Sequence, residues 1–309
     1  MSTPINKIRT TNQRQIEGIM MILSPAKTLD LSPFALGNYH PELGDKSDNL
    51  LTNPCCDAKK TSHLATVMKK QSPTQLMKLL KISSKLANVS HEYWNSFDDK
   101  NSTFPVKPAL YAFSGPAYQG INVKEMNYEH LLYLQDNLII IDPLYGTLRP
   151  LDQIQPYRLE MATKNVTKNI SNLAKWWTDS VTSSLSTSLE KRHTDPILLN
   201  LASDEYSAAV DPKQLPPNTN YIKVIFRQEG KVISVHAKRA RGLMVRYVAE
   251  NQIDSLEGVK QFDWEGYKIV GKEDSSDQIV FDRKKQTAKA GNKRKATTDT
   301  KQKTTSRKK

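Results

Sequence analysis

The sequence predicts a mixed α/β fold of the α+β type, built as a single compact domain over residues 20–282. Three observations support this. Strand-like and helix-like segments interleave, but without the regular βαβ period of a doubly wound fold. Hydrophobic residues make up 38% of the chain, which is enough for a core. No internal repeat is evident, so a repeat array is excluded. Residues 1–19 and 283–309 are expected to be disordered.

The chain enters this body through a buried strand. Residues 19–23 form a short apolar run that ends at Ser24-Pro25, as expected where a strand runs into a loop. Residues 72–87 carry apolar side chains at helical spacing, and Ser72-Pro73 supplies an N-cap followed by a proline at the first helical position. The sequence therefore predicts one helix over residues 72–87.

The second half of the body alternates helices with short strands. Helices are predicted at residues 123–136, 173–189 and 241–251, and apolar strand-like elements at residues 138–141, 196–201, 267–271 and 278–281. Residues 221–227 and 231–236 are two β-branched runs separated by Glu229-Gly230. That spacing predicts a β-hairpin.

Most of the positive charge lies in the C-terminal tail. The formal charge is +13, and residues 283–309 carry twelve Lys and Arg against the single acid Asp299, a net of +11. Residues 1–282 are left with the remaining +2. The basic pI is therefore no sign of a basic folded surface, and a polyanion partner of the body has to be argued from how its charges group.

Cysteine usage and hydropathy limit the class of protein. The two cysteines are adjacent, at Cys55 and Cys56, which excludes a disulfide-rich secreted scaffold and offers no CxxC pair for zinc. No stretch of about 18 apolar residues occurs, so a membrane span is not predicted. We expect a protein of the cytoplasm with no membrane partner, and we assign it neither a metal nor a cofactor. The sequence leaves the oligomeric state open.

Two strand ends carry candidate catalytic residues. Ser24 and Lys27 follow the first strand, and Asp204 and Glu205 follow the strand predicted at residues 196–201. A lysine there can contact phosphate or, when desolvated, act as a nucleophile. Paired carboxylates can act as general acid and base or bind Mg²⁺. The alternatives are a solvated loop lysine and, for the two acids, the first turn of a helix.

Proline- and glycine-bounded loops hold two further arginines. Arg149 lies close in sequence to Asp152, and Arg158 to Glu160. Both can be structural ion pairs that hold a loop in shape. Alternatively, the hairpin at Gly146 would offer backbone N–H groups to a phosphate, as helix-hairpin-helix proteins do. The pattern favours neither interpretation.

The densest positive cluster of the body lies at a junction between a strand and a helix. It consists of Lys238, Arg239, Arg241 and Arg246. Because the body is otherwise nearly neutral, this grouping favours contact with several phosphates at once. A solvated, charged helix face is the alternative.

Five segments occur in the order found in the YaaA peroxide-stress protein family. They are SPAKTLD (24–30), FSGPAYQGI (113–121), LYGTLRPLDQIQPYRLEM (144–161), NLASDEY (200–206) and AKRARGLMVRYVAEN (237–251). Because these motifs are long and correctly ordered, the chain closely resembles this family from about residue 21 to residue 281.

The resemblance implies a single α/β domain with a positively charged cleft, a helix-hairpin-helix-like element, affinity for DNA and a role in limiting damage by hydrogen peroxide. It implies no established catalytic reaction, and it leaves Asp152, Asp204 and Glu205 as cleft carboxylates of unknown role. Family members usually have Ser-Gly before the Leu-Tyr-Gly segment. This chain has Asp142-Pro143 there, which adds a negative charge and stiffens the hairpin entry.

The leading hypothesis is a protein of the peroxide response that binds double-stranded DNA through backbone phosphates, without base specificity. The expected nucleic-acid contacts are Lys27, Arg149, Arg158, Lys238, Arg239, Arg241 and Arg246. The tail, with basic clusters at residues 293–295 and 307–309, would add salt-sensitive affinity, or act as a nuclear-import signal if the source is eukaryotic. The alternative is an enzyme acting on a nucleotide or nucleic acid at a cleft that holds Ser24, Lys27, Asp204 and Glu205.

Overall fold

A seven-stranded sheet forms the centre of the protein. The computed structural model describes residues 19–54, 56–192, 195–270 and 277–285, and of residues 44–48 it describes the backbone only. In chain order the strands are β1 (Met20–Leu23), β2 (Thr28–Leu29), β3 (Lys107–Pro108), β4 (Phe113–Ser114), β5 (Leu138–Asp142), β6 (Gly146–Leu148), β7 (Gln153–Ile154), β8 (Lys164–Thr167), β9 (Ile170–Asn172), β10 (Ile197–Asn200), β11 (Asn220–Gln228), β12 (Lys268–Ile269) and β13 (Gln278–Arg283).

Helices surround the sheet. In chain order they are α1 (Ala58–Lys69), α2 (Pro73–Leu80), α3 (Ser84–Asn95), α4 (Ala109–Ala112), α5 (Pro116–Ile121), α6 (Tyr128–Asn137), α7 (Leu173–Leu189), α8 (Asp204–Ser207), α9 (Ser234–Glu250) and α10 (Leu256–Lys260). Short 3-10 segments lie at Leu36–Asn38, Pro41–Leu50, Val123–Glu125, Pro212–Gln214 and Trp264–Gly266.

The central strands of the sheet are parallel. The spatial order is β12-β13-β11-β10-β1-β5-β6, with parallel pairing from β13 to β5 and an antiparallel strand at each edge. Every residue of β1 and β5 is buried, which requires cover on both faces of the sheet. The mixed α/β prediction is confirmed. Long and unequal connections between the parallel strands explain why no regular period was visible in the sequence.

Several predicted elements are confirmed. The strand expected at residues 19–23 is β1, the elements expected at 138–141 and 196–201 are β5 and β10, and the helix expected at 173–189 is α7 with the same bounds. The runs at 267–271 and 278–281 include β12 and β13, which pair antiparallel. Residue 271 lies outside the described residues.

The single helix expected at residues 72–87 is wrong, because two helices occupy that stretch. The predicted N-cap is present: Ser72 accepts a hydrogen bond from the Gln75 backbone N–H, and the Gln75 side chain accepts one from the Ser72 N–H. However, Lys81 adopts a left-handed conformation with φ 53°, which ends α2. Ser83 then caps α3 through the Leu86 N–H. The N-cap at Ser83 lies within the stretch of helical apolar spacing, and a second helix begins after it.

The helix expected at residues 123–136 begins later than predicted. Asn127 caps α6 by accepting a hydrogen bond from the His130 N–H, and residues 123–125 form a separate 3-10 turn. The asparagine side chain competes with the backbone for hydrogen bonds, which favours a cap over a helix interior. The apolar spacing alone did not reveal this boundary.

The hairpin predicted at residues 221–227 and 231–236 is wrong. The first run is β11, but it pairs in parallel with β10 and β13, so both of its edges are occupied. The turn at Glu229-Gly230 exists, with positive φ at both residues. After it, the chain enters α9 at Ser234, so α9 begins seven residues before the helix expected at 241–251. The positive cluster therefore lies on the helix itself.

The described body is slightly longer than residues 20–282. Ile19 is fully buried in the core. At the other end, Arg283 belongs to β13, is buried, and pairs with Glu265 at 2.8 Å. Residues 1–18 and 286–309, including most of the predicted tail, lie outside the described residues, as does Cys55. In the part of the chain that is described, no helix has the length and apolarity needed to cross a bilayer.

Candidate functional site

The sheet topology places a crevice between β1 and β10. These strands are adjacent and parallel, yet the next parallel strand after β1 is β5 on one side, whereas the next after β10 is β11 on the other. The connections therefore leave their carboxyl ends in opposite directions. In parallel sheets, ligands bind in the crevice at such a topological switch point.

A cavity of about 260 Å³ occupies this crevice, and we call it the switch-point cavity. Its walls are the loop after β1 at residues 24–28, the loop after β10 with Ser203, Glu205 and Tyr206, the segment 114–118 that leads into α5, and α9 with Lys238 and Arg241. Five of the residues predicted to form a site are thus brought together: Ser24, Lys27, Glu205, Lys238 and Arg241.

Ser24 joins the two strand-end loops. Its Oγ accepts a hydrogen bond from the Ser203 backbone N–H at 2.9 Å and lies 3.3 Å from the Ser203 Oγ, while the Tyr118 hydroxyl donates to the Ser24 carbonyl oxygen at 3.1 Å. An activated serine nucleophile needs a general base in hydrogen-bond reach. Among the described residues, the side-chain partner of Ser24 is another serine. Its geometry therefore supports a role in shaping the cavity.

Lys27 is held at the cavity by a carboxylate that two cations share. Its Nζ lies 2.6 Å from Glu160 Oε2, and Arg158 Nη2 lies 3.0 Å from Glu160 Oε1. The Arg158 guanidinium also donates to the Lys27 carbonyl oxygen at 3.1 Å. Because one acid serves two cations, this triad keeps a net positive charge. About half of the Lys27 side chain is exposed, so it remains open to a ligand.

The two adjacent acids point to different places. Asp204 is 82% exposed, and its Oδ1 pairs with Lys223 Nζ at 2.6 Å, away from the switch-point cavity. Glu205 lines the cavity and accepts a hydrogen bond from the Ala162 N–H at 3.0 Å. Both lie in the first turn of α8, as the helix-start interpretation predicted. They therefore do not converge as an acid–base pair.

The positive cluster on α9 divides into two sets. Arg239 Nε pairs with Glu265 at 2.7 Å, and Arg246 Nε pairs with Glu250 at 2.7 Å. Lys238 and Arg241, three residues apart, share the other face, which lines the cavity. Within the described residues, neither has a carboxylate at ion-pair distance. The sequence indicates the cluster but not its division into two sets, because that division depends on where the fold places the partner acids.

Arg241 is the least satisfied cation of the site. Its Nε is buried and has no hydrogen-bond partner among the described residues. Burial lowers the pKa of its guanidinium, with the charge of Asp204 acting in the opposite direction. A buried charge without a hydrogen-bonded counter-ion is costly. An anion in the cavity would supply what the protein itself does not.

A close helix contact fixes the position of Arg241. α5 packs against α9, and a Cβ added to Gly242 would overlap the Ala117 carbonyl group, while one added to Gly120 would overlap the Arg239 carbonyl oxygen. Only glycine allows the two backbones to approach this closely. The contact lies beside Arg241 and next to the wall that Ala117 and Tyr118 provide.

Arg149 lies elsewhere, in a group that we call the hairpin charge network. It consists of Arg149, Asp152, Thr52 and Gln135. The buried Asp152 carboxylate accepts from the Arg149 backbone N–H at 2.8 Å, from Arg149 Nη2 at 3.1 Å and from the Thr52 hydroxyl at 2.6 Å. The Gln135 amide donates to the Thr52 hydroxyl at 3.4 Å. Here the structural ion-pair interpretation agrees with the geometry.

Comparison with known proteins identifies the family. A family model described as "Peroxide stress protein YaaA" matches residues 19–273. The chain belongs to the YaaA family. It is 36% identical over 274 residues to a UPF0246 protein of Shewanella pealeana and 38% identical over 276 residues to one of Idiomarina loihiensis; each alignment covers 87% of this chain and all of the relative. A UPF0246 protein of Rickettsia felis is 37% identical over 265 residues, covering 85% of this chain and 99% of its own length.

The glycine hairpin expected of a YaaA protein is present, but its arms are strands. β5 and β6 pair antiparallel around Gly146, which has φ +75°, and a Cβ there would come within 2.8 Å of the Trp177 ring. The residues from 138 to 148 are buried throughout. The two arms therefore are not helical turns, and the hairpin backbone faces the core rather than solvent.

Asp142, the departure from the usual family sequence, does not put a charge on the surface. It is fully buried at the end of β5, and it accepts hydrogen bonds from the Leu144 and Tyr145 N–H groups at 2.9 Å each and from the Tyr157 hydroxyl. Burial raises the pKa of Asp142 to about 6, although these hydrogen bonds oppose the shift. The sequence marked this residue as unusual but gave no sign of its burial.

The Asp142 carboxyl also acts on the tyrosines of the cavity wall. Burial, with the charge of Asp142 as a further contribution, raises the pKa of both Tyr118 and Tyr206 well above the usual value. Both phenols therefore stay protonated, and the Tyr118 hydroxyl uses its one hydrogen in the bond to the Ser24 carbonyl oxygen. Their role could not be predicted, because these tyrosines come from separate parts of the chain.

Within the described residues, no group of three or more potential ligands is arranged to hold a metal ion.

Proposed function

We propose that this protein binds DNA as part of the cellular response to hydrogen peroxide, and that its folded body contacts phosphates at the switch-point cavity without reading bases. Membership of the YaaA family supports the link to peroxide stress. The observation that carries the DNA proposal is the pair Lys238 and Arg241. Within the described residues, they lack ion-pair partners and face one cavity.

The charge around the cavity suits a phosphate. Lys27, Lys238 and Arg241 line it together with a single carboxylate, Glu205. The adjoining Glu160 is already shared by Lys27 and Arg158. Arginine presents a planar fork of donors that matches phosphate oxygens, and lysine adds a compact charge. A phosphate group there would satisfy the buried guanidinium of Arg241.

The other predicted contacts are expected to contribute less. Arg149, Arg158, Arg239 and Arg246 each pair with an acid of the protein. Such a cation would have to give up or share its partner in order to meet a phosphate. We therefore expect their replacement to change DNA affinity less than replacement of Lys238 and Arg241.

The basic tail is proposed to add affinity that depends strongly on salt. Residues 283–309 carry a net charge of +11, and each phosphate that they neutralise would release counter-ions from DNA. Within the tail, Arg283 is committed to Glu265, so the binding segment begins after it. Cytoplasmic location, or nuclear location through this tail, stays a prediction.

Duplex-DNA binding across a salt series tests the proposal. The full chain is compared with a chain that ends at Lys285, which keeps β13 and its Arg283–Glu265 pair intact. We expect the shortened chain to bind more weakly but with a clear salt slope, because the cavity remains. Loss of all binding on shortening would show that only the tail contacts DNA and would contradict the proposed site.

A second candidate function is an enzyme acting on a nucleotide or nucleic acid. It is favoured by one observation: Ser24, Lys27 and Glu205 converge on a crevice at a topological switch point. Asp204 leaves this set, because it pairs with Lys223 outside the cavity. If the enzyme candidate is correct, Lys27→Ala and Glu205→Gln should abolish turnover of a nucleotide while DNA binding persists. Weaker DNA binding in Lys27→Ala, with binding kept or strengthened in Glu205→Gln because a negative charge is removed, would favour the binding protein.

A further inference from the structure

We infer that the switch-point cavity takes a phosphomonoester, either a free nucleotide or the phosphorylated end of a nucleic-acid strand, in preference to a phosphate within a duplex. This inference rests on the proposed function, since it concerns the same site. It names the chemical form of the phosphate that the site selects. Three properties of the cavity support it: size, charge and the arrangement of its donors.

The size of the cavity fits a small group. Its volume of about 260 Å³ lies just below the range of roughly 300–1,000 Å³ that is typical of small-molecule pockets. Walls from two loops and two helices surround it. A phosphate inside a duplex is flanked by sugars on both sides and needs an open groove. A strand end or a mononucleotide can enter such a pocket from one side.

The charge of the cavity fits a dianion. Lys238 and Arg241 are two cations that the described residues leave without carboxylates at ion-pair distance. A phosphomonoester carries a charge of about −1.5 to −2 at pH 7, whereas a phosphodiester in the middle of a strand carries one negative charge. Pairing both cations therefore takes one monoester but two successive diesters. Two successive diesters are joined through a sugar, so they need more room beside the two cations than one terminal phosphate does.

The donors line the same cavity from different elements of the fold. The buried Arg241 Nε lacks a partner among the described residues, so a bound phosphate can be met by the guanidinium fork. Lys27 approaches from the loop after β1, where Glu160 holds it in place. Pro25, Ala26, Pro116 and Ala117 supply an apolar wall of the same cavity, suited to the sugar or base attached to the phosphate.

Calorimetric titration of the full-length protein tests this inference with matched ligands. The ligands are adenosine, adenosine monophosphate, and one single-stranded oligonucleotide with either a 5′-phosphate or a 5′-hydroxyl. We expect adenosine monophosphate to bind and adenosine not to bind. We expect the 5′-phosphate to strengthen strand binding by about tenfold or more, which corresponds to about 1.4 kcal/mol. A benefit for only one of the two ligands identifies the source of the phosphomonoester.

Two double variants locate the effect. Lys238→Gln with Arg241→Gln removes the cavity cations, while Arg227→Gln with Lys231→Gln removes the same charge from outside the cavity lining. The first variant should lose the advantage of the 5′-phosphate, and the second should keep it. Thermal unfolding checks that both variants fold. If the first variant does not fold, Lys238→Gln alone replaces it. That single variant should fold because Lys238 is exposed, and it should still reduce the advantage of the 5′-phosphate.

Failure of this inference can be distinguished from failure of the proposed function. If adenosine monophosphate does not bind and the two strands bind equally, the inference is overturned, even if duplex DNA still binds with a salt slope. If duplex DNA does not bind but the phosphorylated ligands do, the inference stands and the DNA proposal falls. Loss of the 5′-phosphate advantage in both double variants would mean a general charge effect and would also overturn the inference.

Discussion

The switch-point cavity and the hairpin charge network both contain arginines from basic motifs, but they differ in whether those arginines have an acid partner. In the hairpin charge network, the Asp152 carboxylate meets the Arg149 guanidinium, a backbone N–H and a hydroxyl. In the cavity, Arg241 is buried on one side and Lys238 stands close by, and within the described residues neither has an ion-pair partner. The first region pairs its own charges, whereas the second has two cations without an acid at ion-pair distance among the described residues.

We propose that this difference separates cations that stabilise the fold from cations that bind a ligand. Arg149 and Arg241 both lie close to a glycine in basic motifs. From the sequence alone, the two positions therefore look equally suited to phosphate contact. What distinguishes them is the acid that the fold brings to one and not to the other. Mutations in the two regions should therefore have different consequences: loss of stability in the hairpin charge network, and loss of binding in the switch-point cavity.

The largest effect is expected from Asp152→Ala. Removal of this buried carboxylate leaves the Arg149 N–H, its guanidinium and the Thr52 hydroxyl without their acceptor. We expect the free energy of unfolding, measured by urea denaturation, to fall by about 4 kcal/mol. The matched control is Asp204→Ala, because Asp204 forms an exposed pair with Lys223, and its loss should cost less than about 1 kcal/mol. Equal losses in the two variants would contradict the comparison.

The next effect concerns Asp142 and pH. Burial raises the pKa of Asp142 from 3.8 to about 6, so between these values the folded protein holds a proton that the unfolded chain has released. The contribution of Asp142 to stability should therefore be fully present below about pH 4, fall by about 3 kcal/mol as the pH rises to about 6, and then stay level. In the variant Asp142→Asn, the new amide oxygen could still accept from the two backbone N–H groups, but the side chain no longer titrates. That substitution should remove this contribution, and an unchanged slope would refute the assignment.

A smaller effect is expected at the helix contact beside the cavity. In Gly242→Ala, the new methyl group must displace the Ala117 backbone on α5. We expect a loss of about 2 kcal/mol in unfolding free energy, typical of overpacking, together with weaker DNA binding because Arg241 moves. Gly230→Ala introduces a methyl group into open space at a positive φ, so it should lower stability through backbone strain while DNA binding stays normal. Normal DNA binding by Gly242→Ala would show that the contact between α5 and α9 does not position Arg241 for binding.

The sequence indicated which segments line the cavity better than it indicated how their side chains are arranged. Both strand ends, the α9 cluster and the family could be identified from motifs in the chain. The division of the α9 cluster could not, because Glu265 and Glu250, which satisfy Arg239 and Arg246, have no sequence mark as partners. Asp142 was noticed as unusual, but its burial depends on Tyr157 and on the sheet around it. The hairpin after β11 was mispredicted because parallel neighbours on both edges are a property of the whole sheet.

Duplex binding across a salt series, compared between two variants, decides whether the unpaired cations of the cavity contact DNA. Lys238→Gln with Arg241→Gln should lower DNA affinity about tenfold and leave thermal stability unchanged. It should also reduce the slope of log K against log salt by about 2, because each phosphate contact that forms releases roughly one counter-ion. Arg149→Gln should do the reverse, lowering stability while nearly keeping the slope. If both variants weaken binding and flatten the slope alike, the presence of an acid partner does not distinguish stabilising cations from DNA-binding cations, and the proposed site is wrong.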